Sequence, residues 1–120
     1  MRTKVEIEDI QVYWSYAEPN TPAIVGIKGE LNLNIIYRLR TVLFELLDLM
    51  TPGSALYVDI RDVEYIASAG VGILSAAMVH AEERNIRFYV STMAPKVRMV
   101  FDNLGLGGWF TVRDPVVQEP

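Results

Sequence analysis

Apolar positions recur along this chain with two periods, and the change from one to the other marks out its elements. Val5 and Ile7, then Val12, Trp14 and Tyr16, alternate with more polar neighbours, so Val5–Tyr16 reads as a strand with one wetter face. Glu18-Pro19-Asn20-Thr21-Pro22 is a turn cluster, and Ala23–Ile27 is a second apolar strand. The two are expected to form an antiparallel hairpin with a loop of a few residues, and Gly29-Glu30-Leu31-Asn32 ends the second strand. The period then lengthens. Ile36, Leu39, Leu43, Leu46, Leu47 and Met50 fall at steps of three and four residues, the spacing of one helix face. Arg38, Arg40, Glu45 and Asp48 lie largely off that face. Asn32 or Asn34 can cap this helix, and Thr51-Pro52-Gly53 stops it, because proline cannot continue a helix and glycine accepts a left-handed turn.

Leu56–Ile60 is a short, mostly apolar run, as expected of a strand buried on both faces, and a turn is expected after it. Ala67-Ser68-Ala69-Gly70 then leads into a second helix pattern through Ile73, Leu74, Ala77, Met78 and Ala81, ending at Arg84-Asn85 with Asn as its cap. Ile86–Val90 is a further strand of mostly β-branched and aromatic residues. Met93-Ala94-Pro95 opens a third helix with proline at its first position, Val97, Val100, Phe101 and Leu104 as its stripe, and Gly105 just past its end. Leu106–Val112 is expected to return to the sheet as a short edge strand through Trp109, with 113–120 as a frayed tail. The fold class that follows is α/β. A mixed sheet of four to five strands, an N-terminal antiparallel hairpin plus parallel strands, is covered by three helices.

Composition narrows the function classes. At 120 residues the chain is one domain, 1–120, with a core over about 5–112. Its net charge of −4 argues against nucleic acid, which needs a basic face. No apolar run reaches the roughly 18 residues of a membrane span, and the charged start Met1-Arg-Thr-Lys-Val-Glu does not read as a signal peptide. The absence of cysteine excludes disulfides and thiol chemistry and suits a cytoplasmic protein. The single histidine, His80, falls on the polar side of the second helix pattern beside Glu82, Glu83 and Arg84, and is read as solvated. Neither a metal site nor a histidine base is suggested. Gly70-Val-Gly72 is not a dinucleotide fingerprint, since Ser75 stands where its third glycine belongs. No cofactor is expected.

The stretch with chemical content is the junction between the central strand and second helix. Ser68 stands where an N-cap belongs, so its hydroxyl has two readings: a cap for the first helical turn, or a site of regulated chemistry. Gly70 and Gly72 would let the helix start lie close against the sheet, a structural role for both. Val71 and Ile35 are expected to be exposed and to supply apolar contact to a partner.

The element order, together with Gly29-Glu30-Leu31-Asn32, Val58-Asp59-Ile60, Tyr65-Ile66-Ala67-Ser68-Ala69-Gly70-Val71-Gly72 and Pro95-Lys-Val-Arg-Met-Val-Phe, resembles the STAS domain family. Within it the chain looks most like the bacterial anti-sigma-factor antagonists. In that family the junction reads Asp-Ser-Ser-Gly or Asp-Thr-Ser-Gly, and the residue after Asp is phosphorylated; Ser68 falls there. The resemblance implies a binding module without enzymatic activity, which captures an anti-sigma factor that is also a serine kinase of the histidine-kinase ATPase type. A metal-dependent serine phosphatase reverses the mark. Glu30, Asn32, Ala67, Ser68, Ala69, Gly70 and Val71 are the expected partner-binding residues. Two departures remove negative charge from that surface: Ala67 replaces the acidic residue before the serine, and Asn32 replaces the Asp of Gly-Glu-Leu-Asp. The alternatives are a non-phosphorylated scaffold that assembles with copies of itself or with a sensor, and a sensor of a small ligand at the same junction, where backbone N–H groups favour anions.

Overall fold

The computed structural model describes residues 2–7, 10–15 and 22–115, with side chains from residue 22 onward. Five strands form one sheet in the order β1-β2-β3-β4-β5: Arg2–Ile7, Ile10–Ser15, Ala23–Leu31, Ala55–Ile66 and Arg87–Val90. β1 pairs with β2 and β2 with β3 antiparallel, whereas β3/β4 and β4/β5 are parallel. Three helices complete the α/β fold, α1 (Ile36–Leu49), α2 (Ser68–Glu83) and α3 (Pro95–Asn103).

Four elements differ from the sequence reading, the first being β3, which runs through Gly29-Glu30 to Leu31 instead of ending after Ile27. Val5–Tyr16 is not one strand: β1 ends at Ile7 and β2 begins at Ile10, and the two pair with each other. Tyr16 and turn residues 18–21 fall outside the described residues, as does the tail from 116 to 120. β4 does not turn after Ile60 but runs twelve residues to Ile66. It absorbs the polar stretch by irregularities: its register with β3 shifts between Gly26 and Lys28 and again between Gly29 and Glu30. Gly29 takes a φ of 80° at the second shift, a conformation that a side chain would oppose. Finally, Leu106–Val112 forms turns and a single parallel bridge, Val112 to Val90, in place of a strand.

One face of the sheet carries the main core. Leu39, Leu43 and Leu47 of α1, Leu74 and Ala77 of α2, and Val97 and Phe101 of α3 pack with Val25, Leu56, Val58 and Ile60. The helix faces read from the sequence are the buried ones because a three-to-four-residue stripe can meet a flat sheet only on one side. Ile24, Ala55 and Tyr57 form a small second cluster with Tyr89, whose ring stacks on Tyr57 at 4.9 Å. Asn85 ends α2 with φ 59°, the left-handed conformation that asparagine tolerates best among side-chain-bearing residues.

His80 is not a solvated residue. Its ring stacks on Phe44 of α1 at 4.8 Å, the Arg40 guanidinium lies over the same phenyl ring at 4.6 Å, and Nε2 is 2.7 Å from Asp48 Oδ1. An off-stripe histidine thus helps fasten α1 to α2. No helix among the described residues is long and apolar enough to cross a membrane.

Candidate functional site

The ends of β3 and β4 and the starts of α1 and α2 converge. Leu31 pairs with Ile66 at the last position of the ladder, and the Ala67 N–H donates to the Leu31 carbonyl at 2.9 Å. That bond ties the Ala67–Ala69 junction to the end of β3, where Glu30, Leu31 and Asn32 lie. Gly70 closes the arrangement from within. A Cβ built there would lie 3.1 Å from Ile66 Cγ1 and 3.6 Å from Ile36 Cγ2, so the first turns of α2 and α1 meet at this glycine. Gly72 has no such role, since nothing lies within 4 Å of a Cβ at that position.

The N-cap of α2 is Ala67, and it has no side-chain capping bond. Ser68 occupies the first helical position, exposed, and its hydroxyl makes no hydrogen bond among the described residues, so it is not the expected cap. The Gly70 N–H turns back to the Ala67 carbonyl at 2.8 Å, while those of Ser68 and Ala69 have no partner among the described residues. A free hydroxyl therefore stands beside two free backbone donors at the positive end of a sixteen-residue helix.

The other expected site residues separate into surface and interior. Glu30 and Ala69 are exposed, and Asn32 and Ala67 are half-buried. Asn32 caps a turn before α1: its Oδ1 accepts the Asn34 N–H at 3.0 Å, and its carbonyl accepts from Ile35 and Ile36. Gly70 is buried, and Val71 is fully buried at 0% exposure. Ile35 is at 6%. Val71 and Ile35 cannot supply surface contact. Val71 precedes Leu74 and Met78 by three and seven residues, so it opens the helix's buried stripe.

The exposed apolar groups near the junction are instead Leu33 at 64%, Tyr37 at 71% and Tyr65 at 51%. Leu33 follows Asn32 in the turn, Tyr37 is in the first turn of α1, and Tyr65 pairs with Glu30 in the β3/β4 ladder. The sequence carried a signal for each. Leu33 lies between two turn-forming asparagines, Tyr37 is off the α1 stripe, and Tyr65 alternates with inward Ile66, although it shares the parity of buried Val63 and is turned outward by the second register shift. A shallow groove of about 420 Å³ continues from Tyr37 along α1 past Thr41, Val42 and Glu45.

Two hydroxyls of the next strand–helix connection are engaged. Ser91 is fully buried; its Oγ accepts the Ile60 N–H at 2.8 Å and donates to the Thr92 carbonyl at 2.9 Å, which supports the β4 irregularity. Thr92 donates from both its N–H and its Oγ to Asp114. Asp59, before the irregularity, receives Nε and Nη2 of Arg61 at 2.9 and 2.8 Å. Burial pushes the Asp59 carboxyl upward, but the bonds and charge of Arg61, with a contribution from Ser91, outweigh it and hold it below its ordinary value. Among the described residues no three His, Asp or Glu side chains gather in a way that could hold a metal ion.

With this geometry in place, the STAS domain model matches residues 13–118. The chain belongs to the STAS domain family. Its fold resembles that of the anti-sigma factor antagonist SpoIIAA in its unphosphorylated form, with TM-score 0.70 and 20% identity over 88% of each chain. The Bacillus SpoIIAA structure in the phosphorylated form matches at TM-score 0.64 and 20% identity, over 88% of this chain and 91% of that one. An anti-sigma factor antagonist from Mycobacterium paratuberculosis matches at TM-score 0.69 and 19% identity, over 97% and 86%. No curated protein sequence matches the chain.

Proposed function

We propose that this STAS domain is an anti-sigma-factor antagonist, a partner-switching module controlled by reversible phosphorylation of Ser68. The observation that carries the reading is the exposed, unbonded Ser68 hydroxyl at the first position of α2, held beside the end of β3 by the Ala67–Leu31 bond. In its unmodified form the domain captures an anti-sigma factor of the histidine-kinase ATPase type through Glu30, Asn32, Ala67, Ser68 and Ala69, with Leu33, Tyr37 and Tyr65 as apolar contacts. That partner transfers the γ-phosphoryl group of ATP to Ser68 Oγ: the Oγ–P bond forms, the bond to the β-phosphate oxygen breaks, and the hydroxyl proton is released. A metal-dependent serine phosphatase reverses the mark. The domain is substrate and ligand in this cycle, working in the cytoplasm, and supplies no catalytic group.

The physical basis is the asymmetry between the free and bound states. Phosphate adds about −1.5 to −2 charges at neutral pH. In the free domain the unpartnered N–H groups and helix dipole favour that charge, so the fold tolerates it. In a close-packed complex the same dianion must lose water, and release follows. SpoIIAA, of similar fold, has been described in unphosphorylated and phosphorylated forms.

A specific observation also favours the scaffold alternative: Ala67 and Asn32 remove two carboxylates from the face where the family presents them. Incubation with an ATPase-type anti-sigma kinase and ATP, followed by mass mapping, separates the two. Phosphate on Ser68 supports the switch, and an unmodified chain that still binds its partner supports the scaffold.

A further inference from the structure

β1 is the outer strand of the sheet, and among the described residues no strand lies beyond it. At the opposite edge the chain covers itself: the Val90 N–H donates to the Thr111 carbonyl at 3.1 Å, and the Arg113 N–H donates to the Val90 carbonyl at 2.9 Å. The β1 edge has six residues of ladder, Arg2–Ile7, all paired with β2 on the inner side. An outer strand of that length presents a row of backbone donors and acceptors.

The sequence of this edge, Arg2-Thr-Lys-Val-Glu-Ile7, suits one occupant. Antiparallel pairing of two identical strands places residues whose numbers have a constant sum at opposed register positions. With Val5 on the two-fold axis, Lys4 stands opposite Glu6 of the second copy, Glu6 opposite its Lys4, and Thr3 opposite its Ile7. Unlike charges then meet twice, by symmetry. Moving the axis one residue toward either end would put Lys4 or Glu6 opposite its own copy; with the axis at Lys4, Arg2 would also meet Glu6 twice, but only the Val5 register has the two unlike pairs without a like-charge pair. Registers with an odd sum would oppose charged to apolar positions. One register is therefore favoured by charge. A strand that only repelled neighbours would carry one sign of charge along this edge, whereas this one carries both, Arg2 and Lys4 basic and Glu6 acidic.

We propose that a second copy of this chain docks on β1, antiparallel and centred on Val5, so that one continuous sheet runs through both protomers. The contact is isologous, as a two-fold interface requires. It lies beyond β2 and β3 from the β4–α2 junction, so it does not depend on the chemistry of Ser68 and leaves that face open in both copies.

Charge reversal tests the register. Lys4→Glu and Glu6→Lys each turn two attractive cross-strand pairs into repulsive ones, while the exchange Lys4→Glu with Glu6→Lys restores them at unchanged net charge. Sedimentation equilibrium should show wild-type dimer, self-association weakened roughly tenfold or more in either single variant, and recovery in the exchange. Circular dichroism of each variant checks that the domain is folded. If one single variant unfolds, the other and the exchange still decide. Because the chain has no cysteine, Val5→Cys gives an independent reading. Its two thiols would face each other across the axis within disulfide reach and should cross-link under mild oxidation, unlike an exposed Glu45→Cys control. A wild type that stays monomeric at about 1 mM, single variants that associate as tightly as wild type, an exchange that does not recover, or Val5→Cys cross-linking no faster than the control would each overturn the proposal.

Discussion

Arg84, just past the last turn of α2, donates from Nε to the carbonyl of Leu47 near the end of α1 at 2.8 Å. Its Nη2 reaches the carbonyls of Asp48 and Met50 at 3.1 and 3.3 Å. These carbonyls lie at the C-terminal end of α1 and its cap, Met50, where acceptors run out of intrahelical donors; only that of Leu47 also accepts the Met50 N–H, at 3.3 Å. One guanidinium satisfies them and carries positive charge to the negative end of the dipole. Arg84→Ala should lower stability by about 1–2 kcal/mol, read as a fall in the urea midpoint at unchanged slope. Arg84→Lys should recover less than half, because an ammonium on a flexible stem cannot span carbonyls on three residues. Full recovery by Lys would show that charge alone matters.

The two glycines of α2 should respond in opposite directions. Gly72 is exposed, with open space around a Cβ, so Gly72→Ala should stabilise by about 0.5–1 kcal/mol through the lower entropy of the unfolded chain. Gly70 faces Ile66 and Ile36, both buried. Gly70→Leu should cost about 1–3 kcal/mol by overpacking that contact. Equal midpoints for the two variants would show that the start of α2 is not pressed against the sheet.

The pattern made the core legible and left the surface of the site obscure. The buried stripe of α1, the proline start of α3 and the central strand through Leu56 and Val58 all follow from period and punctuation, because burial of a face is what creates period. Val71 reads as exposed from the sequence because a residue one turn inside an N-terminus can belong to either side, and the direction of the helix relative to the sheet settles which. That direction is set at Gly70 by a contact with Ile66 and Ile36, which no local pattern contains. The pattern ends β4 at Ile60 for a related reason. Its polar stretch from Arg61 to Glu64 looks like a turn, and only pairing with β3, Arg61 bound to Asp59 and Ser91 under Ile60 keep it extended. Ser68 lies at the junction, as its place before the helix pattern implies, but as the first residue of α2 and without the capping bond.

Asp59 should make stability depend on acid. Its folded carboxyl lies below the ordinary 3.8, so the unfolded chain binds the proton more readily and stability rises with pH across that interval. The contribution is present above the unfolded value and is lost as pH falls through it toward the lower folded one. Arg61 is 42% exposed and Asp59 21%, so screening keeps the effect small. Asp59→Asn should be less stable than wild type at pH 7, with the gap closing as pH falls below about 4. A gap that stays constant from pH 7 to about 2.5 would mean that the carboxylate charge contributes nothing.

The apolar rim should carry binding without carrying the fold. Tyr65→Ala and Leu33→Ala remove half-exposed or more exposed groups, so each should keep its thermal midpoint within about 0.5 kcal/mol equivalent while weakening capture of an anti-sigma partner. Val71→Asp should instead unfold the domain, since it would bury an unpaired charge. Titration of the partner with each variant checks the first outcome and circular dichroism the second. Unaltered affinity in both Tyr65→Ala and Leu33→Ala would move the docking surface elsewhere.

Ser68 decides whether the junction is a switch. Because its hydroxyl makes no capping bond, Ser68→Ala should change stability by no more than about 0.5 kcal/mol, less than the roughly 1 kcal/mol usual for a lost cap. A larger loss would show a cap in solution. Ser68→Ala should bind the anti-sigma partner like wild type and become insensitive to kinase and ATP. Phosphorylated wild type should bind at least 100-fold more weakly, since losing only ~3 kcal/mol has that effect. Ser68→Asp should fall between, its single carboxylate being smaller and less charged than phosphate. The free Ser68 and Ala69 N–H groups give a second readout, as the phosphorylated domain should melt no lower than the unmodified one. Affinities that agree across wild type with and without kinase, Ser68→Ala and Ser68→Asp would leave Ser68 an exposed first residue of α2 and the domain a scaffold.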